Sequence, residues 1–87
     1  MYQGRLGATS LKTKNYVRRY QAFLRSLRQA RQEAGLRQED VARALGKAQS
    51  FVSKCESGER RVDVVELIEF ARIYRKELSY FYGDRQG

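Results

Sequence analysis

Residues 38–58 read QEDVARALGKAQSFVSKCESG. The spacing predicts two short helices, Gln38–Leu45 and Gln49–Ser57, joined by a turn at Gly46 and closed by Gly58. Val41, Ala42 and Leu45 fall on one side of the first helix, and Val52, Cys55 and Glu56 on one side of the second. Gln49, Ser50, Ser53, Lys54 and Ser57 point the other way. Ala42 has to be small, because two helices joined so tightly cross closely there. Gly46 has to take a backbone conformation that costs a residue with a β-carbon about 1 kcal/mol or more. An apolar anchor behind a polar strip is the build of a module that holds one helix against a nucleic-acid groove.

Upstream, residues 16–34 carry Tyr20, Phe23, Leu24, Leu27, Ala30, Arg31 and Ala34 at spacings of three and four. That is one stripe of a longer helix. Asn15 is a candidate N-cap, and Gly35 ends the helix. Downstream, Asp63 and Glu66 have the spacing of a capping box. They open a fourth helix whose buried stripe is expected to be Val64, Leu67, Ile68, Ala71 and Tyr74. A last short helix, 77–82, carries Leu78 and Phe81 as core residues. Tyr80 and Tyr82 are candidates for facing a partner subunit, where aromatic side chains are favoured. No strand pattern, repeat or proline interrupts the chain. The expected fold is all-α, five helices in a compact orthogonal bundle. Residues 1–15 read as a flexible basic arm, 16–83 as the domain and 84–87 as a tail.

Charge narrows the partners. The 87 residues hold 18 basic and 10 acidic side chains, a net charge of +8. All of that excess lies in the first third: Arg5, Lys12, Lys14, Arg18, Arg19, Arg25, Arg28 and Arg31 precede Glu33, the first acid. A polyanion partner accounts for such asymmetry, with a solubilising tail as the plainer alternative. The single cysteine, Cys55, cannot form an intrachain disulfide, which fits a reducing cytoplasm. A small buried apolar role suits it better than a redox switch. No apolar run approaches the ~20 residues of a membrane span. Histidine is absent, so the commonest general base and any Cys/His pair are missing. No zinc cluster and no phosphate-binding glycine loop is present. These gaps argue against an enzyme, and no cofactor or metal is expected.

With those residues in place, residues 24–82 resemble the phage-repressor and Cro-type (XRE-like) helix-turn-helix domain. The resemblance is carried by LRQARQEAGLRQEDVARALG, then QSFVSKCESGERR, then DVVELIEFARIY. It implies a lambda-repressor-like bundle that binds double-stranded DNA, with helix 49–57 in the major groove. Gln49, Ser50, Ser53 and Lys54 are then the base-contacting residues; Gln suits adenine and Lys suits guanine. Gln38 resembles a residue that clamps a phosphate beside the reading helix. Arg37, Ser57, Arg60, Arg61, Arg18 and Arg19 are further candidates for backbone contact, with Arg60 and Arg61 equally readable as ordinary loop charges. Arg31 and Glu56 match a buried ion pair joining the first and third helices. The sequence departs from the pattern at Ala48, where a Ser or Thr cap is usual, and at Val62, which replaces a common proline.

The resulting expectation is a transcriptional regulator, a repressor, acting as a homodimer in the cytoplasm. An antitoxin-like protein that binds a protein partner and regulates its own operon is the alternative. A coactivator-type or RNA-binding adaptor is a third use of the same fold.

Overall fold

The computed structural model describes residues 9–82, with side chains from Lys14 onward. Five helices follow one another: α1 Thr9–Glu33, α2 Gln38–Leu45, α3 Gln49–Ser57, α4 Val64–Tyr74 and α5 Ser79–Tyr82. All-α architecture is as expected, and the boundaries of α2 and α3 match the sequence reading residue for residue.

The core forms where the apolar sides of these helices meet. Leu27 and Ala30 of α1 pack with Val41 and Ala42 of α2, and with Val52 and Cys55 of α3. Phe70, Ala71 and Tyr74 of α4 and Phe81 of α5 complete it. Phe23 extends the stripe of α1 to the ring of Phe81, 6.4 Å between centroids. On the outside of this junction, Lys76 Nζ donates to Glu33 Oε1 at 2.7 Å. That bond, with a second from Gln29, holds the Glu33 carboxyl well below its ordinary range, at about 2.

Several expectations about the helices are corrected. α1 begins at Thr9, so Asn15 sits inside it rather than capping it, and part of the supposed arm is helical. Residues 1–8 of that arm and the tail 84–87 lie outside the described residues. Ala34 falls just past α1, in the turn, and is exposed. In α4 the predicted Ala71 and Tyr74 are buried and Leu67 is partly buried against the core, but Phe70 completes that side in place of Val64 and Ile68. Val64 is 66% exposed and Ile68 39%, whereas Phe70 is wholly buried. The i, i+3, i+4, i+7 pattern fits both registers. The one that buries two aromatic rings, stacked 5.9 Å apart, removes more apolar surface from water.

The short α5 starts at Ser79, later than expected, and Leu78 is exposed rather than core. Tyr80 packs within the protomer, edge-on to Phe81 and hydrogen-bonded through its hydroxyl to Glu33. Tyr82 is 67% exposed.

The ends of α2 and α3 and the start of α4 are set as the sequence predicts. The Glu66 N–H donates to Asp63 Oδ1 at 2.8 Å, and the Asp63 N–H donates to Glu66 Oε1 at 3.0 Å, closing the capping box. Gly46 (φ 71°) and Gly58 (φ 86°) end α2 and α3 in the left-handed region.

Candidate nucleic-acid interface

α3 is anchored by one side only. Val52, Cys55 and Glu56 are buried, while Gln49, Ser50, Ser53, Lys54 and Ser57 are exposed. The five polar residues expected to face outward do so. No side chain caps the start of α3: Ala48 supplies only its carbonyl, to the N–H of Phe51. Ser50 does not take over the cap. The helix holds its place through its buried side instead.

The strongest of those anchors is polar. Arg31 Nε donates to Glu56 Oε2 at 2.6 Å and Arg31 Nη2 to Glu56 Oε1 at 3.0 Å, a two-pronged pair. The hydrogen bond to Glu56 pushes the Arg31 pKa up, against a smaller opposing effect of burial. Arg31 also donates to the Leu36 carbonyl at 3.0 Å, which fixes the turn between α1 and α2. Gln38 Nε2 donates to Glu56 Oε1 at 3.0 Å, and Gln49 Nε2 donates to Gln38 Oε1 at 3.3 Å. A hydrogen-bonded chain therefore runs from a buried carboxylate to an exposed amide at the first turn of α3. Each amide keeps unused capacity: Gln38 one N–H, Gln49 one N–H and its oxygen.

The candidate backbone-contacting residues divide into two groups. Arg37, half-facing its own helix, pairs with Glu39 at 3.1 Å and Asp40 at 3.2 Å. Arg60 pairs with Glu66 through two bonds of 2.8 Å and lies 4.7 Å over the Phe51 ring. The Ser57 hydroxyl donates to the Lys54 carbonyl and accepts from the Glu59 N–H, so it shapes the loop. By contrast, Arg18, Arg19 and Arg61 are exposed and belong to no ion pair among the described residues.

Arg61 has a different partner, which sequence reasoning missed. Its guanidinium lies 5.1 Å from the Tyr16 ring and 4.9 Å from the Tyr20 ring, and donates to the Tyr16 hydroxyl. Beside it the Val62 N–H donates to Tyr20 Oη at 3.0 Å. A proline at 62 has no N–H to give. The departure at Val62 thus serves to dock the loop after α3 onto the extended α1. The signal in the sequence was Tyr16 and Tyr20 at i, i+4, a pair that shares one face of a helix.

Cys55 is buried, and burial pushes its thiol pKa up, so it packs as an inert apolar group. Groups of His, Cys, Asp and Glu able to hold a metal are absent among the described residues. None of the described helices is long and apolar enough to cross a membrane.

The helix-turn-helix family model matches residues 27–81, well over half of the chain. A solved structure, an XRE-family like protein from Pseudomonas syringae pv. tomato str. DC3000, is 40% identical. The alignment covers 90% of this chain and 94% of that one, with a TM-score of 0.76. The chain belongs to the XRE-type helix-turn-helix family. No curated protein matches it. Membership supports a DNA-binding transcription regulator rather than an enzyme.

Proposed function

We propose that this protein is a sequence-specific repressor that binds double-stranded DNA as a homodimer. The observation that carries the reading is the one-sided mounting of α3: three buried anchors behind, a continuous polar strip in front. In this reading Gln49, Ser50, Ser53 and Lys54 meet base edges in the major groove. Gln38, tied to both Glu56 and Gln49, donates its remaining N–H to a phosphate. Arg61, Arg18 and Arg19 supply further backbone contacts from side chains with no acid beside them. Arg37 and Arg60 contribute less, because a carboxylate already offsets each charge, and Ser57 because its hydroxyl shapes the loop.

One helix reads only a few base pairs, so a two-fold pair of protomers reading half-sites about 34–36 Å apart gives the needed specificity. The exposed Val64, Val65 and Ile68 offer apolar surface for such pairing. The same surface is what favours the antitoxin-like reading, in which a different protein covers it. Co-purification of a small partner from the native host would support that alternative.

Selection of bound sites from a random duplex pool tests the proposal. A two-fold symmetric motif is expected. Recovery of no preferred sequence would overturn it. On the selected site, Lys54→Ala should cost ~1–3 kcal/mol and relax the preference at one position. Equal losses on selected and random DNA would remove Lys54 from base readout.

A further inference from the structure

We infer that the outer side of α1 is a second duplex-contacting surface, a row of cations that grips the phosphates flanking the half-site. The inference rests on the DNA-binding reading above, which names Arg18 alone of this row, and extends it to Lys14, Gln21, Arg25 and Arg28.

Lys14, Arg18, Gln21, Arg25 and Arg28 follow one another at alternating steps of four and three. That spacing keeps all five on one side of a helix. Tyr20, Phe23, Leu24 and Leu27 occupy the side turned to the bundle, so the row faces solvent. Lys14, Arg18, Gln21 and Arg25 are exposed and Arg28 is half-buried. None of the four cations belongs to an ion pair among the described residues. No acid occurs in α1 before Glu33. At 1.5 Å per residue the row spans about 21 Å.

Two contacts place and stiffen it. Arg28 Nη1 donates to the Glu56 carbonyl at 3.1 Å, at the C-terminal end of α3. Ser57, the last residue of the outward strip, is the next residue in the chain. Arg28 thereby sets the near end of the row against the C-terminal end of α3, where the outward strip ends. Farther along, Tyr16 and Tyr20 hold Arg61 and the Val62 N–H. These tyrosines flank Arg18, so this stretch of α1 is fastened to the loop after α3 rather than standing free.

A sugar-phosphate backbone fits this row. The row carries four cations in no ion pair among the described residues, on a helix with no acid before Glu33. Contacts of that kind carry no base information; they raise affinity and its salt dependence.

The test compares two doubly substituted full-length proteins with equal charge loss, Lys14→Gln/Arg25→Gln in the row and Arg72→Gln/Arg75→Gln at the C-terminal end of α4. Each is titrated, beside the parent, against the selected site alone and against that site with about one helical turn of flanking duplex on each side. On the flanked duplex the row variant should lower the slope of log K against log salt by about 2. Over a fourfold rise in salt the parent then loses about tenfold more affinity than the row variant. On the short duplex the parent and the row variant should agree, and the α4 variant should match the parent on both.

Equal slopes for parent and row variant on the flanked duplex would overturn the inference while leaving base readout intact. A slope change equal on both duplexes would place the row inside the half-site and overturn the flanking role. A parent that prefers no duplex sequence would instead sink the repressor reading itself. Circular dichroism melts of both variants exclude unfolding as the source of any difference.

Discussion

Arg31–Glu56 and Arg60–Glu66 are both two-pronged arginine–glutamate pairs, the first through Nε and Nη2 and the second through Nη1 and Nη2, set in different surroundings. The first pair is 15% and 3% exposed and joins α1 to α3. The second is 42% and 24% exposed and ties the loop after α3 to the first turn of α4. Water can replace the partner in the second pair and hardly at all in the first. The inner pair therefore defines where α3 sits, and the outer pair trims the loop at modest worth.

Removing Glu56 gives the largest contrast. Glu56→Ala leaves Arg31 half-buried with no carboxylate and takes the acceptor from Gln38. A loss of ~3–5 kcal/mol of unfolding free energy is expected. For a chain this small that is a large share of the total. Urea unfolding at neutral pH measures it. A loss below ~1 kcal/mol would make the two pairs equivalent and break the comparison.

Gly58 lies between the two pairs, two residues after Glu56 and two before Arg60. Its φ is 86°, and a β-carbon there would sit 2.9 Å from Leu24 Cδ1. Gly46 has nearly the same backbone angle and open space around it. Gly58→Ala should cost ~2–4 kcal/mol, the backbone penalty plus displacement of a buried leucine. Gly46→Ala should cost the backbone penalty alone, ~1–2 kcal/mol. Equal losses in thermal or urea melts would show that Leu24 yields freely and that the inner junction is softer than its burial suggests.

The same contrast shows what the sequence could reveal. The helix pair 38–57 was legible because its constraints are local: two glycines at positive φ, a small residue at the crossing, and anchors three apart. Asp63 and Glu66 were legible for the same reason. The α4 register was not, since Val64 and Ile68 satisfy the helical period as well as Phe70 does. Only packing against α1, α2 and the rest of the core separates them. The start of α1 was missed because Asn15 is a good cap and residues 9–15 lack an apolar stripe. Within the interface, the outward side of α3 was readable from spacing. The bonds from Glu56 through Gln38 to Gln49, and the clamp of Tyr16 and Tyr20 on Arg61, join residues far apart in the chain. Tyr16 and Tyr20 at i, i+4 mark a shared helix face, but no local pattern announces the distant partners.

Tyr74 tests the dielectric around the inner pair. Its hydroxyl is buried and has no hydrogen-bond partner among the described residues. Burial first, then the Glu56 charge, pushes its pKa above the ordinary phenol value. A buried hydroxyl without a partner costs stability. Tyr74→Phe should therefore raise the unfolding free energy by about 1 kcal/mol while keeping the ring stacked on Phe70. A decrease would mean that the hydroxyl supports the Arg31–Glu56 pair after all.

The outer pair should give the smallest effect and the clearest pH signature. A double-mutant cycle with Arg60→Gln and Glu66→Gln should return a coupling of ~0.2–1 kcal/mol at neutral pH. Its hydrogen bond to Arg60 holds the Glu66 carboxyl below the usual range, with burial opposing weakly. A carboxyl whose pKa is lower folded than unfolded contributes fully above its unfolded value of about 4.3. That contribution fades as pH falls through the folded value, because both states then carry the proton. The coupling should thus hold from pH 7 to about 5 and shrink below about 4. Because both side chains are substantially hydrated, 0.5 M salt should weaken the coupling as well. A coupling that survives both acid and salt would mean that Arg60 acts through its stacking on Phe51, and that the loop is held by packing rather than by charge.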